Sequence, residues 1–129
     1  MVRLLLDTHT FLWFAAGDRR LSVTVWEQIA DAANPAFVSV VSLWEMAIKI
    51  STGKLIIGES FDTFIPKELQ HNQIELLPIT FAQIVQITKL PFHHRDPFDR
   101  LLIAQALTEG LPIVSADSMF DAYPITRLW

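Results

Sequence analysis

Short apolar runs alternate with segments of helical periodicity along the chain, and this alternation constrains the fold more than any other feature. Strands are predicted at residues 4–6, 36–41, 74–79, 112–115 and, as an edge strand, 124–129. Strands that alternate with helices pair side by side and in the same direction, because each connecting helix returns the chain to the same end of the sheet. The pattern therefore predicts a doubly wound α/β fold, in which helices cover both faces of a parallel sheet.

Helices are predicted between these strands from apolar spacing and from the residues at their ends. Asp96 and Pro97 suit the start of a helix that Gly110 ends, and this helix is the clearest of the set. Pro66 is expected to kink or split the helix around residues 61–69. The remaining helices are predicted at residues 8–16, 23–33 after an N-cap at Ser22, 42–52, 80–89 and 118–122.

Composition limits the protein class. The chain has 129 residues, of which 51% are hydrophobic and 19% charged, so one compact domain spanning residues 1–129 is expected. The net charge of −4 gives no overall positive field toward nucleic acid, so binding of RNA or DNA has to be local or metal-assisted. Cysteine is absent, which excludes disulfides, thiol catalysis and cysteine-ligated zinc.

No export or membrane-spanning segment is expected. Asp7 interrupts the first apolar run after three leucines, whereas a signal peptide needs about 7–15 apolar residues. The longest uninterrupted apolar stretch is residues 11–16, against about 18 for a membrane span. We therefore expect a cytoplasmic protein that does not associate with membranes.

Four acidic residues from distant segments are predicted to meet at one edge of the sheet. Asp7 and Asp117 each follow a predicted strand, and Glu45 and Asp99 lie in the first turns of two predicted helices. Ligands of open α/β sheets bind at the carboxyl ends of the strands. Clustered carboxylates repel unless a cation offsets them, and oxygen donors suit Mg²⁺ or Mn²⁺. The pattern predicts metal-dependent hydrolysis of a phosphodiester.

Each acid also has a structural explanation. Asp7 suits a cap for the helix that follows it, and Asp117 suits a turn. Glu45 stands at capping-box spacing from Ser42, and Asp99 suits the dipole at the start of a helix. Capping accounts for each residue separately but not for the edge that all four share.

Basic residues near these acids have two explanations. Lys49 follows Glu45 by one helical turn, and Arg95 and Arg100 flank the turn at residues 96–99. They form either ion pairs on helix surfaces or contacts to the phosphate of a substrate.

The histidines lack a metal-binding pattern. His93 and His94 are adjacent rather than four residues apart on a helix. His9 is interpreted as a packing or hydrogen-bonding residue, and His71 has no partner in the sequence. The sequence does not decide whether any of the histidines takes part in the predicted site.

Four motifs occur in order along the chain: LLLDTH at 4–9, SLWEM at 42–46, DPFDRLLIA at 96–104 and IVSAD at 113–117. Together they resemble the motifs of PIN-domain nucleases, and more closely those of the VapC-type toxins of bacterial type II toxin–antitoxin systems. The resemblance covers essentially the whole chain. It implies a compact three-layer α/β/α sandwich around a parallel sheet, with Mg²⁺- or Mn²⁺-dependent endoribonuclease activity.

The resemblance also implies roles for individual residues. Asp7 and Asp99 would be the main metal ligands, and Glu45 and Asp117 would complete the acidic pocket directly or through water. Three further residues match supporting positions of the family, with capping favoured for the last of them: Thr8, Ser115 and Asp96.

The partners implied by the resemblance are an RNA substrate, a second copy of the chain and a cognate VapB-like antitoxin. Such an antitoxin wraps its toxin and blocks the site, and the acidic pocket would accept its Arg or Lys in place of the metal.

Two other functions remain to be weighed. A non-catalytic PIN-like module would bind RNA or a protein, but it has no need to keep four acids together. A phosphorylatable receiver-like domain needs an aspartate at the end of a middle strand, and Ser42 and Thr80 follow the second and third predicted strands instead.

Overall fold

Five short parallel strands form one sheet at the centre of the molecule. The computed structural model describes residues 1–129. The strands are β1 (Leu4–Leu6), β2 (Ala36–Ser39), β3 (Ile74–Leu77), β4 (Ile113–Val114) and β5 (Arg127–Leu128). They lie in the order β3-β2-β1-β4-β5, and every neighbouring pair is parallel. The predicted parallel sheet is confirmed.

Helices cover both faces of this sheet. They are α1 (Thr8–Ala16), α2 (Val23–Ala30), α3 (Val40–Ser51), α4 (Phe61–His71), α5 (Phe81–Ile87) and α6 (Pro97–Glu109), and a short 3₁₀ helix spans Ser118–Ala122. Successive side chains of a strand point to opposite faces. Leu4 and Leu6 accordingly pack in one apolar cluster with α1, α2 and α4, while Leu5 packs in a second cluster with α6. The result is the predicted three-layer α/β/α sandwich.

The direction of winding changes beside β1. The chain runs outward from β1 to β2 and β3, and then returns to place β4 on the other side of β1. Such a reversal opens a crevice beyond the carboxyl ends of the strands, where ligands of α/β sheets bind. Asp7 directly follows β1, and Asp117 comes three residues after the end of β4, so both lie at this crevice.

The boundary between β2 and α3 differs from the prediction. The strand ends at Ser39 rather than at Val41, because its pairing with β3 stops at Ser39 and Leu77. The Ser39 hydroxyl then accepts a hydrogen bond from the Val41 N–H at 3.1 Å and caps α3. Val40 and Val41 have the β-branched side chains of a strand, but the cap and the end of the strand pairing override that preference.

The predicted capping box at Ser42 is therefore wrong. Ser42 lies inside the first turn of α3, and its buried hydroxyl has no hydrogen-bond partner. Glu45 consequently lies in the second turn of α3 rather than in the first.

Helix α4 continues through Pro66 from Phe61 to His71, so the prediction that the proline could split this helix is wrong. Ile65, the residue before the proline, is only 7% exposed and packs in the core, which holds the helix against the sheet. The observed α2, α5 and β5 are shorter than the predicted elements. None of the helices is both long enough and apolar enough to cross a membrane.

Candidate metal centre

A small polar cavity of about 170 Å³ lies at the carboxyl ends of β1 and β4. Its lining consists of Asp7, Thr8, His9, Glu45, Lys49, Asp96, Asp99, Asp117 and Phe120. The structure thus brings all four predicted acids together and adds a fifth carboxylate, that of Asp96. Lys49 supplies the single ammonium group of the lining. Two larger depressions, of about 420 and 400 Å³, are lined mainly by apolar residues and hold no such cluster.

Asp7 is fixed at both of its oxygens. Oδ1 accepts a hydrogen bond from the Thr10 N–H at 2.8 Å, which caps α1, and Oδ2 accepts one from the Ser115 hydroxyl at 2.6 Å. The Ser115 oxygen in turn accepts the Asp117 N–H at 3.0 Å. Asp7 is therefore both the predicted helix cap and part of the cavity, and Ser115 connects it to the end of β4.

Glu45 is held from two sides. The Thr8 hydroxyl donates a hydrogen bond to its Oε1 at 2.6 Å, and the Lys49 ammonium lies 3.2 Å from its Oε2. The Lys49 side chain is 34% exposed while that of Glu45 is 13% exposed. Lys49 thus forms the ion pair that the sequence analysis gave as one explanation, and its side chain also lines the cavity.

Asp96 and Asp99 enter the cavity from the start of α6. Asp96 is the N-cap, and its Oδ1 accepts the N–H groups of Phe98 and Asp99 at 2.9 and 3.1 Å. The predicted capping by Asp96 is therefore confirmed. This cap fixes the first turn of α6, which presents Asp99 to the other acids.

The charge of Asp99 is destabilised by its surroundings. Burial raises the pKa of the Asp99 carboxyl from 3.8 to about 7, and the negative charges of four neighbouring acids add to the increase. In order of effect, these neighbours are Asp96, Glu45, Asp7 and Asp117. A divalent cation would offset this repulsion, and carboxylate oxygens are the donors that Mg²⁺ and Mn²⁺ prefer. The residues present therefore fit a hard divalent cation.

His94 also faces the acids, although the sequence analysis gave it no role. Its Nε2 lies 3.1 Å from Oδ2 of Asp99 and 3.9 Å from Oδ2 of Asp117. His94 lies in the loop before α6, so a search for histidines spaced along one face of a helix does not find it. Its position five residues before Asp99, in a segment dense with titratable groups, is the feature of the sequence that could have indicated this contact.

Two of the other histidines, His9 and His93, pack against aromatic rings. The ring of His9 lies at the cavity wall with its centroid 5.8 Å from that of Trp13, and the ring of His93 packs against Tyr123 at 5.3 Å. His71 ends α4, remote from the cavity lining.

Arg100 has a different role from the predicted contact with a phosphate. It is only 6% exposed, and its guanidinium stacks on the Phe92 ring at 4.1 Å. It donates hydrogen bonds of 3.1 to 3.4 Å to the backbone carbonyls of Ile87, Leu90, Pro91 and His94. Arg100 therefore holds the loop before α6 from inside, whereas Arg95 on the same loop is exposed.

A family model described as the PIN domain matches residues 4–125. The chain belongs to the PIN domain family. Among curated proteins, this PIN-domain chain is similar to Ribonuclease VapC22 of Mycobacterium tuberculosis (strain ATCC 25618 / H37Rv). The two are 26% identical over 118 residues, which cover 91% of this chain and 88% of the relative.

Solved structures with the same fold are toxin–antitoxin complexes. VapBC2 from Rickettsia felis, bound to a DNA fragment from its promoter, superposes with a TM-score of 0.74 at 15% identity and covers 98% of both chains. DNA-bound VapBC from Salmonella typhimurium gives a TM-score of 0.70 at 14% identity, over 99% of this chain and 98% of that one. At these identities the likeness establishes the PIN fold alone.

Proposed function

We propose that this PIN-domain chain is a divalent-metal-dependent endoribonuclease and the toxin of a type II toxin–antitoxin pair. The observation that carries the proposal is the cavity in which five carboxylates outnumber one ammonium group, at the crevice between β1 and β4. A relative named as a ribonuclease, 26% identical over 91% of the chain, supports the assignment of RNA as the substrate.

Asp7 and Asp99 would be the main ligands of Mg²⁺ or Mn²⁺, with Glu45 and Asp117 contributing directly or through water. When bound, the ion would polarise the phosphodiester and lower the pKa of a water molecule. The neighbouring hydroxyl groups have a separate task. Thr8 and Ser115 each donate a hydrogen bond of 2.6 Å to a carboxylate, which fixes that carboxylate before any ligand arrives.

Basic residues at the rim would hold the RNA backbone. The cavity repels phosphate, so an approaching strand needs local positive charge to offset that repulsion. Lys49 supplies an ammonium group inside the cavity lining, and Arg95 is exposed on the loop beside it. We assign the phosphate contacts to these two residues.

The partners follow from the same assignment. We propose a VapB-like antitoxin, in line with the VapBC complexes that share the fold, and a homodimer. Large apolar side chains at the surface support coverage by partners, since Trp44 is 59% exposed and Phe92 75%. We propose that the protein acts in the cytoplasm, where RNA is available. We also propose that residues 1–129 act as one domain.

The proposal is tested by RNA cleavage with the purified chain. Cleavage in Mg²⁺ or Mn²⁺ should stop on addition of a chelator and return when metal is restored. Asp99→Asn should lower the rate by about 100-fold or more, because a bound metal contributes several kcal/mol to phosphodiester hydrolysis. Asp62→Asn is a matched control, because Asp62 is an exposed acid in the first turn of α4, and it should cleave like the parent.

Two results would contradict the proposal. Cleavage that continues undiminished in the chelator would exclude the metal. RNA binding without cleavage in either metal, by a chain that is folded by circular dichroism, would favour the non-catalytic module instead.

A further inference from the structure

We propose that His94 is a positioning residue, which orients Asp99 for the metal by donating a hydrogen bond from Nε2 and does not bind the ion itself. The inference rests on the proposed function and adds a residue to it. His94 comes from the loop between α5 and α6, outside the four motifs that carry the acids.

The backbone fixes which nitrogen of the ring carries the proton. Nδ1 of His94 accepts a hydrogen bond from the Asp96 N–H at 3.3 Å. A ring nitrogen that accepts a hydrogen bond has no proton, so the proton of the neutral imidazole is on Nε2. The Nε2–H group is therefore a donor, and it lies 3.1 Å from Oδ2 of Asp99.

The same arrangement disfavours coordination by His94. A histidine that binds a metal through Nε2 needs its lone pair there and its proton on Nδ1. A proton on Nδ1 would then face the Asp96 N–H, and the two donors would oppose each other. The Asp96 N–H belongs to the N-cap residue of α6, so the start of this helix sets the tautomer.

The contact with Asp99 is close but not well aligned. Nε2 of His94 is buried and has no complete hydrogen bond, despite its distance of 3.1 Å from the carboxylate. Buried N–H groups normally find an acceptor, and the acids of the cavity are the acceptors within reach. Donation to Oδ2 of Asp99 would satisfy the Nε2–H group and would leave Oδ1 for the cation.

The backbone of the loop that carries His94 is anchored from two sides. The Tyr123 hydroxyl donates to the Pro91 carbonyl at 2.9 Å and accepts the N–H groups of His93 and His94 at 3.1 and 2.9 Å. On the other side the buried Arg100 guanidinium donates to backbone carbonyls of the loop, including that of His94. These anchors fix the backbone at position 94, and the Asp96 N–H then holds the ring through Nδ1.

Such a hydrogen bond has a measurable effect on metal binding. Residues that orient a ligand carboxylate typically change the metal affinity by about 10-fold to 100-fold when they are removed. We therefore expect His94→Ala to weaken Mn²⁺ binding by about 10-fold or more. The variant loses the bond from the Asp96 N–H to Nδ1 but should remain folded, because Tyr123 and Arg100 anchor the loop through the backbone at position 94.

The test measures Mn²⁺ binding by electron paramagnetic resonance at pH 8 without RNA, on the full chain. His94→Gln should restore most of the affinity, because its side-chain amide nitrogen reaches the position of Nε2. His94→Asn ends at the position of Nδ1 and should bind as weakly as His94→Ala. His93→Ala is the matched control, since its ring packs on Tyr123 away from the acids, and it should bind like the parent.

Pulsed electron paramagnetic resonance of the Mn²⁺-loaded parent chain separates positioning from coordination. The inference predicts no coupling from a directly bound imidazole nitrogen. Such a coupling would overturn the inference, and so would parental affinity in His94→Ala or a failure of His94→Gln to restore binding. A parent chain that binds no Mn²⁺ and cleaves no RNA would contradict the proposed function itself, whereas binding and cleavage that are unchanged in His94→Ala would contradict only the role of His94.

Discussion

At the scale of single residues, Asp99 responds most strongly to the burial and the negative charge of the cavity. Its carboxyl is buried among four other acids, and its pKa lies near 7 instead of 3.8. A cation bound among these carboxylates would relieve the repulsion between their negative charges. A buried carboxylate whose charged form is unfavourable without metal is therefore expected at a metal site. The same repulsion gives a prediction for the chain without metal.

Stability of the metal-free chain should fall as the pH rises from about 4 to about 7. In that range the folded state retains a proton on Asp99 that the unfolded chain has released, so the free energy of unfolding decreases by up to about 1.4 kcal/mol per pH unit. Asp99→Asn does not titrate at this position and should become more stable than the parent across this range. Urea unfolding of both chains in a chelator at several pH values measures the difference.

The difference in the free energy of unfolding between Asp99→Asn and the parent should be near zero at pH 4 and constant above about pH 7 or 8. Asp62→Asn, which changes an exposed acid, should show no such trend. A stability difference for Asp99→Asn that does not vary with pH would mean that Asp99 has an ordinary pKa.

Sequence reasoning located the four acids but not all of their neighbours. Asp7 and Asp117 were predictable because each follows a recognisable strand, and parallel strands end at the same edge. The contact between His94 and Asp99 depends on the path of a loop that has no periodic pattern. The burial of Arg100 was also not predictable from the sequence, since its carbonyl partners lie up to 13 residues away.

At the scale of elements, the loop between α5 and α6 depends on Arg100. Its guanidinium reaches four carbonyl oxygens at once, which a lysine ammonium cannot do because its donors project from a single nitrogen. The loop carries His94 and leads into the cap at Asp96, so its anchoring also orders one side of the cavity.

Arg100→Lys should lower the free energy of unfolding by about 2 kcal/mol, the typical value for hydrogen bonds that involve a charged donor. Urea unfolding measures this effect, with Arg19→Lys as the control because Arg19 is exposed and should change stability little. A loss below about 0.5 kcal/mol, the usual range for surface changes, would show that the loop is held without the guanidinium.

The start of α3 gives a paired prediction. Ser39→Ala removes the observed cap and should lower the free energy of unfolding by about 1 kcal/mol. Ser42→Ala removes a buried hydroxyl without a partner and should raise it by about 1 kcal/mol. Thermal and urea unfolding of the two variants measure both effects. If Ser39→Ala instead raised the free energy of unfolding and Ser42→Ala lowered it, Ser42 would be the residue that caps α3, as the capping box predicts.

The ends of elements were predictable where a residue acts locally. Gly110 ends α6 with a φ of 66°, a conformation that suits glycine, and Asp96 with Pro97 starts it. The boundary between β2 and α3 was not predictable, because it depends on where β2 stops pairing with β3, a strand that begins 35 residues later at Ile74. Continuation of α4 through Pro66 likewise depends on packing against the core.

At the scale of the whole molecule, the fold brings together residues that lie up to 110 positions apart in the sequence. The order β3-β2-β1-β4-β5 places the reversal of winding beside β1, and the acidic cavity lies at that reversal. The alternation of strands and helices predicted this architecture, because parallel pairing and right-handed crossovers leave few alternatives. The surface proposed to contact RNA was not predictable, because an overall net charge of −4 does not indicate where a basic patch lies.

Anomalous diffraction from crystals soaked in Mn²⁺ is the sharpest test of whether the acidic cavity holds a metal ion. We expect one or two anomalous peaks within bonding distance of Asp7 and Asp99, and loss of those peaks in crystals of Asp99→Asn. Anomalous peaks elsewhere on the chain, or no peak in the cavity of crystals whose acids lie as described, would contradict a metal site there.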